Sequence, residues 1–175
     1  MVMERCGECG FEPADLRPGD TAVAVRAFGR RYRAPLTRAL TGEDLDEVVR
    51  RSPGEGVWSA LEYSGHVVDI FRVFDDRVRC ALERREPDEA VVDWEARVAA
   101  ASPGLVRTAV ADEIDDASDS LATTLDELNG DEWRLPARNG RGDPVTVFDV
   151  AVIAVHEGSH HLLDVGRVLR AARGR

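Results

Sequence analysis

Apolar residues recur along most of this chain at spacings of three and four, the pattern of helices that each bury one stripe. The clearest stretch carries Val67, Ile70, Phe71, Phe74, Val78 and Leu82. Ser59-Ala-Leu-Glu62 precedes it, and the serine hydroxyl and glutamate carboxylate can each satisfy a backbone amide of a first turn, with Trp58 placed to staple onto Tyr63. The spacing therefore predicts a helix from Ser59 to about Arg84, with Pro87 beyond its end. A first helix is expected from an N-cap near Asp20 through Val23, Ala27 and Phe28 towards Leu40, kinked or split at Pro35. A third should run from about Leu105 to Leu128, where Asn129-Gly130 stops it. A fourth should start at Thr146, where Asp149 is a partial capping-box match and Val145 and Val150 can staple, and should end before Gly174.

Turn-rich segments separate these stripes. Residues 42–57 read as a loop with a helical turn, 88–103 as a linker carrying Trp94, and 130–145, rich in Gly, Pro and Arg, as a last loop. Four helices of about twenty residues, each apolar on one face, bury those faces best against one another. The expected architecture is an all-α four-helix bundle over residues 20–175, preceded by a short N-terminal arm over residues 1–19. A length of 175 residues suits one such core.

Composition narrows the partners. The formal charge of −10 would repel phosphate backbones, and the arginines are scattered rather than gathered into a stripe, so nucleic acid is an unexpected partner and a small molecule the expected one. No stretch approaches the roughly 20 uncharged apolar residues of a membrane span, and the first residues lack an apolar signal core. No membrane partner and a cytoplasmic setting are therefore expected, with a homodimer as one permitted assembly.

The chain has only 4 histidines, and all fall on the two best-capped helices. His66 lies on the second, and His156, His160 and His161 on the fourth. Positions 156 and 160 are four apart, so both side chains leave one helix face about a turn apart and can share an ion. His66 would then come from across the bundle. Three neutral imidazoles suit a divalent metal, zinc first and Ni, Fe or Co as alternatives, and leave coordination positions for water or substrate. His161 points about 100° away from His160 and reads as a supporting or surface residue. Asp69, Asp149 and Asp164 are candidates to orient a ligating imidazole through its other nitrogen.

Cys6-Gly-Glu-Cys9 in the arm could be half a zinc site or a redox pair, but Cys80, the remaining cysteine, lies inside a predicted helix and offers no second pair. Since the capped helices all begin after residue 19, the arm is expected to be dispensable for the bundle and its metal. Trp58, Trp94 and Trp133 read as packing anchors at loop–helix junctions.

Trp58-Ser-Ala-Leu-Glu-Tyr-Ser-Gly-His66, followed about ninety residues later by Thr146 and then His156-Glu-Gly-Ser-His160-His161, resembles the DinB-like superfamily of metal-binding four-helix bundles. The resemblance covers about residues 20–173. It implies that His66, His156 and His160 bind one divalent metal ion. It also implies a metal-dependent enzyme, with a low-molecular-weight thiol such as mycothiol or bacillithiol as cofactor for S-transfer, isomerisation or detoxification. Two alternatives stand beside this. One is a module that binds metal or a small ligand without turnover. The other is a peptidase, because His156-Glu157-Gly-Ser-His160 also spells H-E-x-x-H, in which the glutamate acts as general base. Against the peptidase, the tail after His160 carries no glutamate, and Asp164 is its only carboxylate.

Overall fold

The structure, a computed structural model, describes residues 4–174. In chain order its helices are α1 (Pro18–Thr37), α2 (Leu45–Arg50), α3 (Ala60–Glu83), α4 (Trp94–Ala101), α5 (Arg107–Asp126) and α6 (Val147–Ala172). A two-stranded antiparallel hairpin, β1 (Pro136–Arg138) and β2 (Pro144–Thr146), precedes α6. The four long helices make the expected bundle. Both α1 and α3 pack against α5 and α6, so α1 and α3, which follow one another among the long helices, face each other across the diagonal.

The bundle is held by the stripes visible in the sequence. Phe28, Tyr32 and Leu36 of α1, Ile70 and Phe71 of α3, Ile114 and Leu121 of α5, and Val150 and Val165 of α6 are buried. Each such side chain contributes about 1.5–3 kcal/mol by leaving water. On α6 the contact with α1 is close at Gly158, where a Cβ would meet Phe28 Cε2 at 2.6 Å and whose carbonyl accepts a 2.9 Å hydrogen bond from the Tyr32 hydroxyl. This contact sets the rotation of α6 about its axis, and with it the direction of each histidine.

The ends of the helices refine the sequence reading. At α3 the capping box forms as expected: the Ser59 amide donates to Glu62 Oε2 at 2.8 Å and the Glu62 amide to Ser59 Oγ at 3.2 Å. Asp149 does more than the partial match suggested, since its carboxylate accepts from the Thr146 amide at 2.8 Å while its own amide donates to Thr146 Oγ1 at 3.1 Å. Asp20 is not the N-cap of α1. That helix starts at Pro18, whose missing amide is no loss in a first turn, and Asp20 accepts from the Arg17 amide at 3.1 Å. Pro35 does not split α1, which runs on to Thr37.

Two segments read as irregular contain short elements. The linker holds α4, capped by Asp93 Oδ1 accepting from the Ala96 amide at 3.0 Å. The last loop holds the hairpin, turned by Asn139, whose Oδ1 accepts from the Arg141 and Asp143 amides at 2.9 and 3.0 Å. Elements this short carry too few residues for a periodicity to show. The Val92 amide donates to the Gly140 carbonyl at 2.9 Å, and a Cβ on Gly140 would meet Trp94 at 2.9 Å, so the hairpin rests directly on the start of α4.

Candidate metal centre

α6 presents two chemically distinct faces at the height of its histidines. His156 and His160, one turn apart, face the N-terminal arm. Glu157 and His161, also one turn apart but rotated by about 100°, face α3. His161, expected as a supporting or surface residue, points inward: its side chain is 13% exposed, with ring centroids 5.0 Å from His66 and 5.5 Å from Tyr63.

The arm lies against the first face. The Gly10 amide donates to the Cys6 carbonyl at 3.0 Å and the Cys6 amide to the Phe11 carbonyl at 2.9 Å, with Gly10 at φ +73°. A left-handed residue closes this tight turn, and glycine adopts it at no steric cost. Phe11 then packs its ring 5.5 Å from that of His156, and Arg167 Nη2 donates to the Glu8 carbonyl at 3.4 Å. One ligand-type atom from each of Cys6, Cys9, His156 and His160 lies within 4.8 Å of every other. Cys6 Sγ stands 3.6 Å from His160 Nδ1. A tetrahedral zinc with bonds of about 2.3 Å to sulfur and about 2.0–2.1 Å to nitrogen separates its ligand atoms by roughly 3.4–3.8 Å.

Both imidazoles of this group have one nitrogen engaged by a carboxylate. His156 Nδ1 meets Glu157 Oε1 at 3.1 Å, which leaves Nε2 buried and without a hydrogen-bond partner. His160 Nε2 stands 3.5 Å from Asp164 Oδ2, which leaves Nδ1 towards Cys6. Carboxylate–imidazole pairs of this kind orient the ring and raise its basicity at metal sites. Asp164 thus takes the supporting role open to it in the sequence, whereas Asp149 is spent on capping. The Cys9 backbone amide, and after it the His156 ring, lower the Cys6 thiol to about 6, while burial raises Cys9. The donor set and the unpaired nitrogen of His156 fit a divalent ion of the zinc class.

His66 stands apart from this group. Its ring is enclosed by Trp58, Trp94 and His161, at centroid distances of 5.0, 5.1 and 5.0 Å. Burial, then the neighbouring His161, lower it to about 4, and its Nδ1 is buried without a partner. His161 is the opposite case. Burial alone would lower it, but Asp164 at 3.2 Å from Nδ1 and Glu157 at 3.2 Å from Nε2 outweigh that and hold it at about 9. With both nitrogens engaged it has none for an ion. Glu157, which burial would raise, is held well below the usual carboxylate range by His156 and His161.

The structure therefore brings together two of the three histidines singled out in the sequence, and joins them to the arm. The signal was present: C-x2-C with H-x3-H is itself a zinc-ligand spacing, although 154 residues separate Cys6 from His160. A search for a second cysteine pair passes over it.

Beside the centre opens a cavity of about 350 Å³, at the small end of the range for small-molecule sites. Ile70, Phe74, Trp94 and Ile153 give it apolar walls, His66, His156 and Glu157 border it on the bundle side, and Asn139, Arg141 and Asp143 of the hairpin turn supply polar groups. Trp94 is thus both the anchor expected at its helix start and a wall of the cavity. Trp133 packs on Phe148 at 6.1 Å.

Fold and site together define a helical bundle with a cluster of thiol and imidazole groups beside a cavity of about 350 Å³. The sequence profile of the DinB superfamily matches residues 29–165, and the chain belongs to that superfamily. Cys6 and Cys9 precede the matched span. Among solved structures, the chain is similar to YfiT from Bacillus subtilis, described as a probable metal-dependent hydrolase with an unusual four-helix bundle topology. The TM-score is 0.74 at 11% identity, over 91% of this chain and 92% of that one. It is also similar to a mycothiol-dependent maleylpyruvate isomerase, with a TM-score of 0.70 at 18% identity, over 88% of this chain and 62% of that one. At such identities the likeness establishes the fold. No curated protein matches the sequence. Among the described residues, no helix is long and apolar enough to cross a membrane.

Proposed function

We propose that this chain is a metal-dependent enzyme that acts on a small electrophile, with a low-molecular-weight thiol as second substrate. The observation that carries this reading is that two buried imidazole nitrogens without partners, His66 Nδ1 and His156 Nε2, belong to residues bordering one cavity of small-molecule size. In this reading His66, His156 and His160 would be the three protein ligands, with coordination positions left for water or substrate. A divalent ion there would lower the pKa of a bound thiol or water and so supply a nucleophile at neutral pH. Trp94, Ile70 and Phe74 exclude water from the reacting groups, and Arg141 and Asn139 offer donors to a polar substrate. In the transfer step the thiol sulfur forms a bond to an electrophilic carbon, the displaced bond's electron pair departs with the leaving group, and the thiol proton passes to solvent.

Two features of this chain support the reading. The YfiT and maleylpyruvate isomerase structures share its fold and are described as a probable metal-dependent hydrolase and as mycothiol-dependent, respectively. Glu157, the base a peptidase would need, is tied to His156 at 3.1 Å and His161 at 3.2 Å. The test is a thiol-consumption screen of the metal-loaded protein against a panel of electrophiles, with casein cleavage run in parallel. Metal-dependent thiol loss that disappears in His66→Ala is expected. Casein cleavage abolished by Glu157→Gln would favour the peptidase instead, and metal retention with no turnover of either kind would favour a binding module.

A further inference from the structure

We propose that Cys6, Cys9, His156 and His160 form a closed four-ligand site for a zinc-class divalent ion, and that the N-terminal arm is a metal-anchored cap on α6. The inference uses the His156/His160 pair of the enzymatic reading, but its readouts are metal affinity and spectrum, so each can fail without the other.

Three observations converge. First, the four ligand-type atoms lie mutually within 4.8 Å, and the 3.6 Å between Cys6 Sγ and His160 Nδ1 matches the edge of a mixed sulfur–nitrogen tetrahedron. Second, each ring is already set for a ligand's role, with one nitrogen on a carboxylate, Glu157 or Asp164, and the other turned from it. The buried Nε2 of His156 has no hydrogen-bond partner, so its desolvation is uncompensated unless an ion takes its lone pair. Third, the arm has little regular structure of its own. From residue 4 to Arg17 its one regular element is the single turn Pro13–Asp15, and beyond the buried Pro13, the partly buried Phe11 and Leu16 and the Glu8 contact with Arg167, the thiols are what it brings to α6. Yet its turn aims both thiols at α6 from the far end of the chain. An ion joining them fixes this segment, because ligand binding energy at such a site is folding energy for the residues it orders.

The consequence is a complete coordination shell while the arm is docked. His66 can join the pair on α6 only after a thiolate has left, so the closed and open sites share two ligands and exclude one another.

The experiment uses the full chain, expressed without a His tag and kept under reductant. Zinc content is measured first, then affinity by competition with a chelator of known strength, for the parent protein and for Cys6→Ser, Cys9→Ser, His160→Ala and His66→Ala, with Cys80→Ser as a thiol control. About one zinc per chain is expected. Loss of either arm thiol should weaken binding by more than about 100-fold, beyond the roughly 10- to 100-fold of an outer supporting group, while His66→Ala and Cys80→Ser stay within about 3-fold. Because a substitution can disturb the arm for other reasons, cobalt is exchanged for zinc in the parent protein. A near-ultraviolet thiolate-to-cobalt charge-transfer band supports the site. Absence of that band, unchanged affinity in Cys6→Ser and Cys9→Ser, or loss of the ion in His66→Ala alone would overturn it.

Discussion

Glu157 links the two faces of α6. One carboxylate oxygen meets His156 Nδ1 at 3.1 Å and the other meets His161 Nε2 at 3.2 Å, so the residue that orients a candidate ligand also neutralises the charged ring beside His66. Its place next to His156 excludes it from that residue's own face but not from its ring. Glu157→Gln should therefore leave the ion bound while weakening it by about 10- to 100-fold, as loss of an outer carboxylate does. Chelator competition measures this. A loss as complete as that of His156→Ala would show the carboxylate to be a ligand itself. The same residue shows what the sequence conveyed and what it hid. That His156 and His160 share a face follows from their spacing alone. Which of His160 and His161 faces α3 depends on the rotation of α6, and that is set by the approach of Gly158 to Phe28, a contact between residues 130 positions apart.

At the scale of elements, the long helices were legible because each carries a stripe, to which α3 and α6 add chemistry at their starts in Ser59/Glu62 and Thr146/Asp149, while α5 has no side-chain cap and the start of α1 lies two residues before Asp20. Of the short ones, α2 falls within the loop expected to hold a helical turn, whereas α4 and the hairpin were not legible, being defined by a single cap and a single turn. Glu62 couples the two kinds. Beyond closing the capping box, it accepts from the Ser102 hydroxyl at 2.6 Å, tying the start of α3 to the segment just after α4. Burial would raise this carboxyl, but the bonds from Ser102 and Ser59 outweigh it and lower it below its ordinary value of 4.5. A carboxylate depressed in the folded state stabilises above its unfolded pKa and loses that contribution as pH falls through the folded one. Glu62→Gln should thus cost about 1–2 kcal/mol at pH 7, somewhat less than the roughly 1.5–3 kcal/mol of a hydrogen bond to a charged group because this carboxylate is only partly buried and solvent screens it. The gap from the parent protein should shrink steadily below pH 4.5. Denaturant melts of both proteins across that range read the effect directly, and a gap that is constant with pH would contradict it.

For the whole molecule, the bundle and the centre come apart in an informative way. The buried stripes of α1, α3, α5 and α6 all lie beyond the arm, so removal of residues 1–15 should preserve helicity and a cooperative melt. That much agrees with the sequence reading of the arm as separable. The metal is another matter, since the geometry gives the arm two of four donors. The truncated chain should bind zinc more weakly than the full chain by more than about 100-fold, the loss expected beyond that of an outer group. Circular dichroism and metal analysis on one preparation check both halves of this expectation. The sequence carried the ligands of each half as two short spacings. What it could not carry was their meeting, which needs the whole bundle folded before the arm has a face to dock on.

The feature on which the rest depends is an ion at His156 and His160 shared with the thiols of the arm. X-ray absorption at the zinc edge of the purified full chain tests it most directly, because sulfur and nitrogen scatter differently and stand at different distances from the metal. Two sulfurs at about 2.3 Å and two nitrogens at about 2.0–2.1 Å are expected in the inner shell. An inner shell of nitrogen and oxygen alone would contradict it and return the ion to the three imidazoles of His66, His156 and His160.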